Sequence, residues 1–154
     1  VSKPGVPNFW GLVGDKANAI EPGKRPLSSM TPTLVLKDGK PVLVTGSPGG
    51  SRIITTVLQQ IVNVIDFKMG LADAAQFPRF HHQWLPDELR VEPGFSPDTL
   101  KALEARGHKI ALKAVMGSLQ SAAWDGRLFF GHSDTRRPTA GAVGLCRPKI
   151  AESC

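Results

Sequence analysis

Two short stretches carry residue types whose spacing suits the handling of an anion. Ser28-Ser29 sets two hydroxyls side by side, just ahead of an apolar run. Each hydroxyl can donate one hydrogen bond, so the pair can hold a carboxylate from two directions. The same pair also suits an ordinary polar turn. Gly46-Ser47-Pro48-Gly49-Gly50-Ser51 lies between a strand-like segment and a long apolar one. Glycines there let the main chain approach a ligand closely. The start of a helix adds unpaired N–H groups at the positive end of its dipole. Such a turn can hold a phosphate, a carboxylate or a developing oxyanion. A tight strand-to-helix turn without a ligand fits the same composition.

Other chemistry finds less support. No Gly-Lys-Ser/Thr follows the glycines, so they do not form a nucleotide-binding P-loop. His81-His82 would point to opposite faces of a strand and cannot share one ion. No His-x-x-x-His or Cys-x-x-Cys spacing accompanies them, so they read as structural, and no metal or cofactor is expected. A Ser/His/Asp triad can be drawn on paper, yet no Gly-x-Ser-x-Gly elbow singles out one serine as a nucleophile.

The elements that must position these residues can be read along the chain. Residues 1–26 are rich in Gly, Pro, Asn and Lys without periodicity, and read as a long loop of the kind that forms functional lids. Thr33–Lys37 and Pro41–Thr45 read as strands joined at Asp38-Gly39, a strong hairpin signal. Ser51–Phe67 reads as a helix. Ile54, Val57, Leu58, Ile61 and Ile65 share a face that Ile53, Val62 and Val64 widen nearly all round, which predicts a buried helix. Leu71–Gln76 reads as a second helix, stopped by Pro78. Arg79–Trp84 and Glu88–Val91 read as short strands. Ser96-Pro97-Asp98 opens a further helix that Gly107 closes. His108–Leu112, Leu119–Trp124 and Leu128–Gly131 complete the strands, the last two joined at Asp125-Gly126. Mixed elements with prominent hairpins predict an α/β layered fold with antiparallel pairing.

The 154 residues suffice for one modest domain, and 41% hydrophobic with 21% charged residues is a globular balance. No apolar run approaches the roughly 18 residues that span a bilayer. The net charge is +6, but Lys24-Arg25 and Arg136-Arg137 are the only adjacent basic pairs. Scattered charge without interleaved aromatics argues against nucleic acid, and leaves a solvated basic surface able to attract anionic substrates. Cys146 and Cys154 both fall in the last ten residues, where they cannot staple the core. The opening Val1-Ser2-Lys3-Pro4, with neither initiator Met nor secretory signal, reads as a processed chain or a fragment.

Together "KRPLSSMTPTLVLKDGKPVLVTGSPGGSRI", "PRFHHQWLPDELRVE" and "MGSLQS" resemble the small subunit of γ-glutamyltransferase, also called glutathione hydrolase. "RPLSSM" and "GSPGGSR" at this separation are far more specific than either alone. The resemblance covers residues 1–145 as the C-terminal portion of that subunit, with 1–26 as lid loop and linker, and leaves 146–154 as a tail outside the family pattern. It implies an N-terminal nucleophile hydrolase with an αββα sandwich of mainly antiparallel strands. It also implies a precursor that cuts itself in two, exposing a Thr nucleophile.

By this resemblance Ser28 and Ser29 bind the α-carboxylate of the γ-glutamyl group. Gly49 and Gly50 supply the oxyanion hole. Pro4–Gly14 is the mobile lid, with Trp10 at its aromatic gate position. The implied partners are the large subunit, glutathione or other γ-glutamyl compounds, and amino-acid or peptide acceptors, in a periplasmic or extracellular setting. The implied Thr, at the head of a Thr-Thr-His-type motif, matches no residue of 1–154. Neither does the acidic residue expected to hold the α-amino group. The alternative is a non-catalytic fragment that at most binds a partner or a γ-glutamyl ligand.

Overall fold

The structure, a computed structural model, describes residues 3–137 and 139–144. Its organising feature is the hairpin of β1 (Thr33–Lys37) and β2 (Lys40–Gly46). Asp38 and Gly39 turn it with φ of 50° and 75°, both in the left-handed region that a two-residue hairpin loop requires. β2 pairs antiparallel with β6 (Gln120–Trp124), and β6 with β7 (Phe129–Ser133), giving the order β1-β2-β6-β7. Leu43 and Thr45 of β2 and Ser121 of β6 are buried on one face, where the Thr45 and Ser121 hydroxyls meet at 2.8 Å.

Helices α1 (Arg52–Ile65) and α2 (Leu71–Gln76) flank this sheet, so Leu43, Ile53, Val57, Ala74, Ala75 and Leu119 form the core. α1 corrects one expectation. Its buried positions are Ile53, Thr56, Val57 and Gln60, whereas Ile54 and Leu58 are 50% and 55% exposed. The sheet, α2 and the strand at Phe80–His81 pack against α1, and the face carrying Ile54 and Leu58 stays exposed. On the sheet, Leu34 and Val44 form a cross-strand pair and are likewise half exposed.

A second sheet joins β3 (Phe80–His81), β4 (Leu89–Val91) and β5 (Ile110–Leu112). Here β3 and β4 are antiparallel, but β4 and β5 are parallel. The exception to antiparallel pairing has a plain cause: α3 (Pro97–Ala105) intervenes between β4 and β5, and a helical crossover returns the chain in the same direction. Ser96 caps α3 by accepting the Thr99 amide at 3.1 Å, Pro97 opens its first turn, and Gly107 follows it at φ 92°.

Between the sheets lies a buried ionic cluster that sequence patterns do not disclose. Arg79 donates to Asp134 Oδ2 at 2.8 Å, to the Met116 carbonyl at 2.6 Å and to the Ala75 carbonyl. Arg136 reaches Glu92 and Asp134, each at 2.9 Å. The Glu92 carboxylate in turn accepts the Arg79 and Met116 amides. Arg79 and Asp134 are 2% and 0% exposed, a burial tolerable only because each charge is paired and hydrogen-bonded. Burial alone would raise the Asp134 carboxyl, but Arg136 and Arg79 outweigh it and hold it well below the usual carboxylate range. Cys146, Cys154 and the tail 146–154 lie outside the described residues.

Candidate active site

The glycine turn connects β2 to α1. Gly49 and Gly50 have φ of 145° and 60°, where a side chain would be strained. Neither amide donates a hydrogen bond among the described residues. Ser51 stands at the helix start but makes no side-chain cap. Its hydroxyl donates instead to Gln83 Oε1 at 2.8 Å. The Arg52 and Ile53 amides turn back to the Gly49 and Gly50 carbonyls at 3.3 and 3.2 Å, so the free donors at this turn are the amides of the glycines themselves.

Residues 5–14 fold over this turn as a small hairpin. Asn8 organises it, its Oδ1 accepting the Trp10 amide at 2.9 Å and the Leu12 amide at 3.0 Å. The Gly5 amide bonds the Gly14 carbonyl at 2.7 Å, and Pro7 bridges Val13. The hairpin delivers the Trp10 indole onto Gly50. A Cβ added at Gly50 would lie 2.4 Å from Trp10 Cδ2 and 2.5 Å from Cε2. The Arg52 guanidinium sits 5.5 Å from the ring centroid, a cation–π distance.

A cavity of about 440 Å³ opens at this point, lined in part by Trp10, Ser28, Ser29, Gly50 and Ser51. Four of the five residues singled out in the sequence thus share one cavity. Gly49 does not line it; it faces a neighbouring cavity of about 410 Å³ that also contacts Trp10. Ser28 Oγ accepts the Met30 amide at 3.2 Å, which leaves its proton free to donate. Lys24 and Arg25 also line the first cavity. Their adjacency was legible in the sequence, but not their place beside the serines; Glu21 lines the same cavity and pairs with Lys24 at 3.6 Å, so Arg25 carries the excess positive charge there.

Sequence reasoning passed over Gln83 entirely. Its Nε2 donates to the Trp10 carbonyl at 2.9 Å and the Leu85 carbonyl at 3.0 Å, which fixes the amide orientation. Its Oε1 then accepts from Ser51 Oγ, and the 2.9 Å contact with His81 Nε2 makes that nitrogen a donor. His81 Nδ1 meets Thr55 Oγ1 at 2.8 Å. Burial pushes the His81 imidazole below its ordinary value, the Gln83 bond opposes this, and the charges of Arg52, Arg90 and His82 add to the lowering. His82 falls just beyond β3 rather than on it, exposed and 3.4 Å from Asp87.

The family model described as Gamma-glutamyltranspeptidase matches residues 1–144. The glutathione hydrolase proenzyme of Escherichia coli is 69% identical over 137 residues, covering 88% of this chain and 23% of that protein. That of Pseudomonas sp. is 48% identical over 154 residues, covering 93% and 27%. Among solved structures, Helicobacter pylori gamma-glutamyltranspeptidase superposes with a TM-score of 0.84 at 55% identity, covering 88% of this chain and 76% of that one. The Pseudomonas nitroreducens enzyme, solved in complex with L-DON, gives 0.84 at 42% identity, covering 94% and 77%.

The chain belongs to the γ-glutamyltranspeptidase family, a family of transferases and hydrolases with the N-terminal nucleophile hydrolase fold. It spans about a quarter of the length of these two curated relatives.

Proposed function

We propose that this chain furnishes the carboxylate-binding and oxyanion half of a γ-glutamyl transfer site, completed by a nucleophile and a partner subunit from elsewhere in the protein. The observation that carries the reading is the convergence of Ser28, Ser29, Gly50 and Trp10 on one cavity. The serine hydroxyls donate to the α-carboxylate of a γ-glutamyl donor such as glutathione. The γ-carbonyl then lies towards the glycine turn. A Thr hydroxyl, which the family resemblance places outside residues 1–154, attacks that carbon. The amide C–N bond breaks, and the amine departs with a proton. Water or an acceptor amine next attacks the resulting ester and regenerates the hydroxyl. In both steps the unpaired Gly49 and Gly50 amides stabilise the oxyanion that develops on the carbonyl oxygen. Trp10 covers the turn and limits the entry of water.

The uncovered apolar face of α1 gives a partner subunit of the same precursor a surface to pack against. Among the described residues no helix is long and apolar enough to cross a membrane. A periplasmic or extracellular setting comes with the family resemblance.

The test is release of chromophore from a γ-glutamyl anilide by the full-length protein and by its Ser28→Ala/Ser29→Ala variant. A hydrogen bond to a charged group contributes roughly 1.5–3 kcal/mol, so losing even one should raise KM by about tenfold to a hundredfold. The melting temperature should hardly change. Unchanged KM and kcat with a large fall in melting temperature would identify the serines as a structural turn instead.

A further inference from the structure

We propose that Gln83 is a positioning residue that latches the lid hairpin to the start of α1, and so sets how far water competes for the acyl-enzyme. The inference rests on the γ-glutamyl transfer reading above. It names a residue on the far side of Trp10, outside the cavity of the serines.

The lid hairpin is closed by its own bonds, through Asn8, the Gly5–Gly14 pair and the Pro7–Val13 bridge. Those bonds survive whether the hairpin lies on the body or swings away, so they cannot hold it down. What holds it down is concentrated at Trp10. Its ring rests on Gly50 and beside Arg52, and its carbonyl accepts from Gln83 Nε2. The main chain also passes close by: a Cβ on Gly11 would lie 3.4 Å from Gln83 Nε2.

Gln83 is suited to this task because all its hydrogen-bonding capacity is committed in two directions. Its two N–H groups reach the lid and the Leu85 carbonyl. Its oxygen takes Ser51, the residue after the glycine turn, and His81, itself bonded to Thr55 one turn into α1. A free Gln side chain rotates and presents either end of its amide. Here the Trp10 and Leu85 carbonyls can only accept, so the donor end is aimed at the lid and the oxygen is left for Ser51 and His81. The lid is therefore registered against the element that positions Gly49 and Gly50, rather than against a distant surface.

Two variants of the full-length protein separate this from a merely structural role. Gln83→Glu keeps the acceptors for Ser51 and His81 and loses the donors to the lid. Gln83→Met keeps the length and loses everything. The first readout is hydroxyl-radical labelling of Trp10 measured by mass spectrometry, with Trp124 as the internal reference. Both variants should raise Trp10 labelling severalfold and leave Trp124 unchanged. The second is the ratio of hydrolysis to transfer at fixed acceptor concentration, which should rise severalfold in both.

The third readout is the same ratio in a Trp10→Ala background, where Gln83→Glu should add nothing further, because the residue acts through Trp10. Parental Trp10 labelling in a folded Gln83→Glu protein overturns the proposal, as does an effect that is fully additive with Trp10→Ala. If neither Gln83 variant folds, Ser51→Ala takes their place. It frees one side of the amide, so Trp10 labelling must rise above the parent for the latch to stand. If the parent has no γ-glutamyl activity at all, the transfer reading falls, while the labelling still decides whether Gln83 holds the lid.

Discussion

Replacing Gly50 with alanine puts the proposed oxyanion turn under two loads that can be worked out separately. The first is conformational. Gly50 sits at φ 60°, and holding an L-residue in the left-handed region costs about 1–2 kcal/mol. The second is steric. The new Cβ would lie 2.4, 2.5 and 2.9 Å from three indole atoms of Trp10, where ordinary contact begins at 3.4 Å, so the ring must retreat by about 1 Å. The amide N–H survives the substitution, but the turn must shift to accommodate it. A displacement of about 1 Å in a catalytic group can cost ~10²-fold, and outright loss of an oxyanion donor costs about 10²–10³ in kcat. Gly50→Ala in the full-length protein should therefore lower kcat by ~10²-fold, with a smaller change in donor affinity. The assay is steady-state turnover of a γ-glutamyl anilide on protein shown to be folded and processed. Repeating it on Trp10→Ala isolates the steric part, because no indole is then present to be pushed. If the glycine amides serve the oxyanion, Gly50→Ala remains strongly impaired in that background. A folded Gly50→Ala protein that turns over at the parental rate refutes the assignment.

Two further outcomes follow from the same structure. The isolated chain should release no chromophore above a buffer blank, since the nucleophile is assigned to a part of the protein outside residues 1–154; clear turnover would mean that another side chain has been recruited. Asp134→Asn should destabilise the protein by about 3–5 kcal/mol, because it leaves the buried Arg79 charge without its partner. The sign of the accompanying pH dependence is definite. The folded-state carboxyl titrates below its unfolded value of about 3.9, so its contribution is complete above that pH and is lost as pH falls through the folded value. Urea midpoints measured from neutral pH down into the acid range should show this loss in the parent and not in the variant.

Local chemistry carried much of the fold into view. Asp38-Gly39 demanded a hairpin, and Ser96-Pro97 with Gly107 bounded α3, because these signals act within a few residues. What failed depended on partners. The buried face of α1 could not be chosen from its own periodicity, since its apolar positions spread round the helix and the face that turns inwards with Ile53 and Val57 also carries the polar Thr56 and Gln60. The parallel β4–β5 pairing was hidden because three-residue strands have no usable period. The site divides in the same way. Ser28-Ser29 and the glycine turn are dense enough in unusual residues to be noticed. Gln83, Arg79, Glu92 and Asp134 are single side chains without a spacing pattern, and their roles exist only once the chain has folded.

Those unseen residues bear directly on the glycine turn. Arg79 binds the Met116 carbonyl and Glu92 the Met116 amide. Arg137 binds the Gly117 carbonyl at 3.1 Å, and Ser47 Oγ accepts the Ser118 amide at 2.9 Å. The Met116–Ser118 segment is thereby clamped at successive backbone groups, and the Gly117 Cα lies 3.7 Å from where a Cβ on Gly49 would stand. Behind the turn, then, is a buried charge cluster with little freedom to move. In front of it is Trp10, held through Gln83. An oxyanion site works only if its donors are already in place when charge develops, because reorganising them during the reaction would return the advantage. A turn of two glycines is the least rigid backbone available. Its fitness for the proposed role comes from what grips it on either side, which is why the ionic cluster, though it reaches the glycines only through the Met116–Ser118 segment, bears on the same site as the serines.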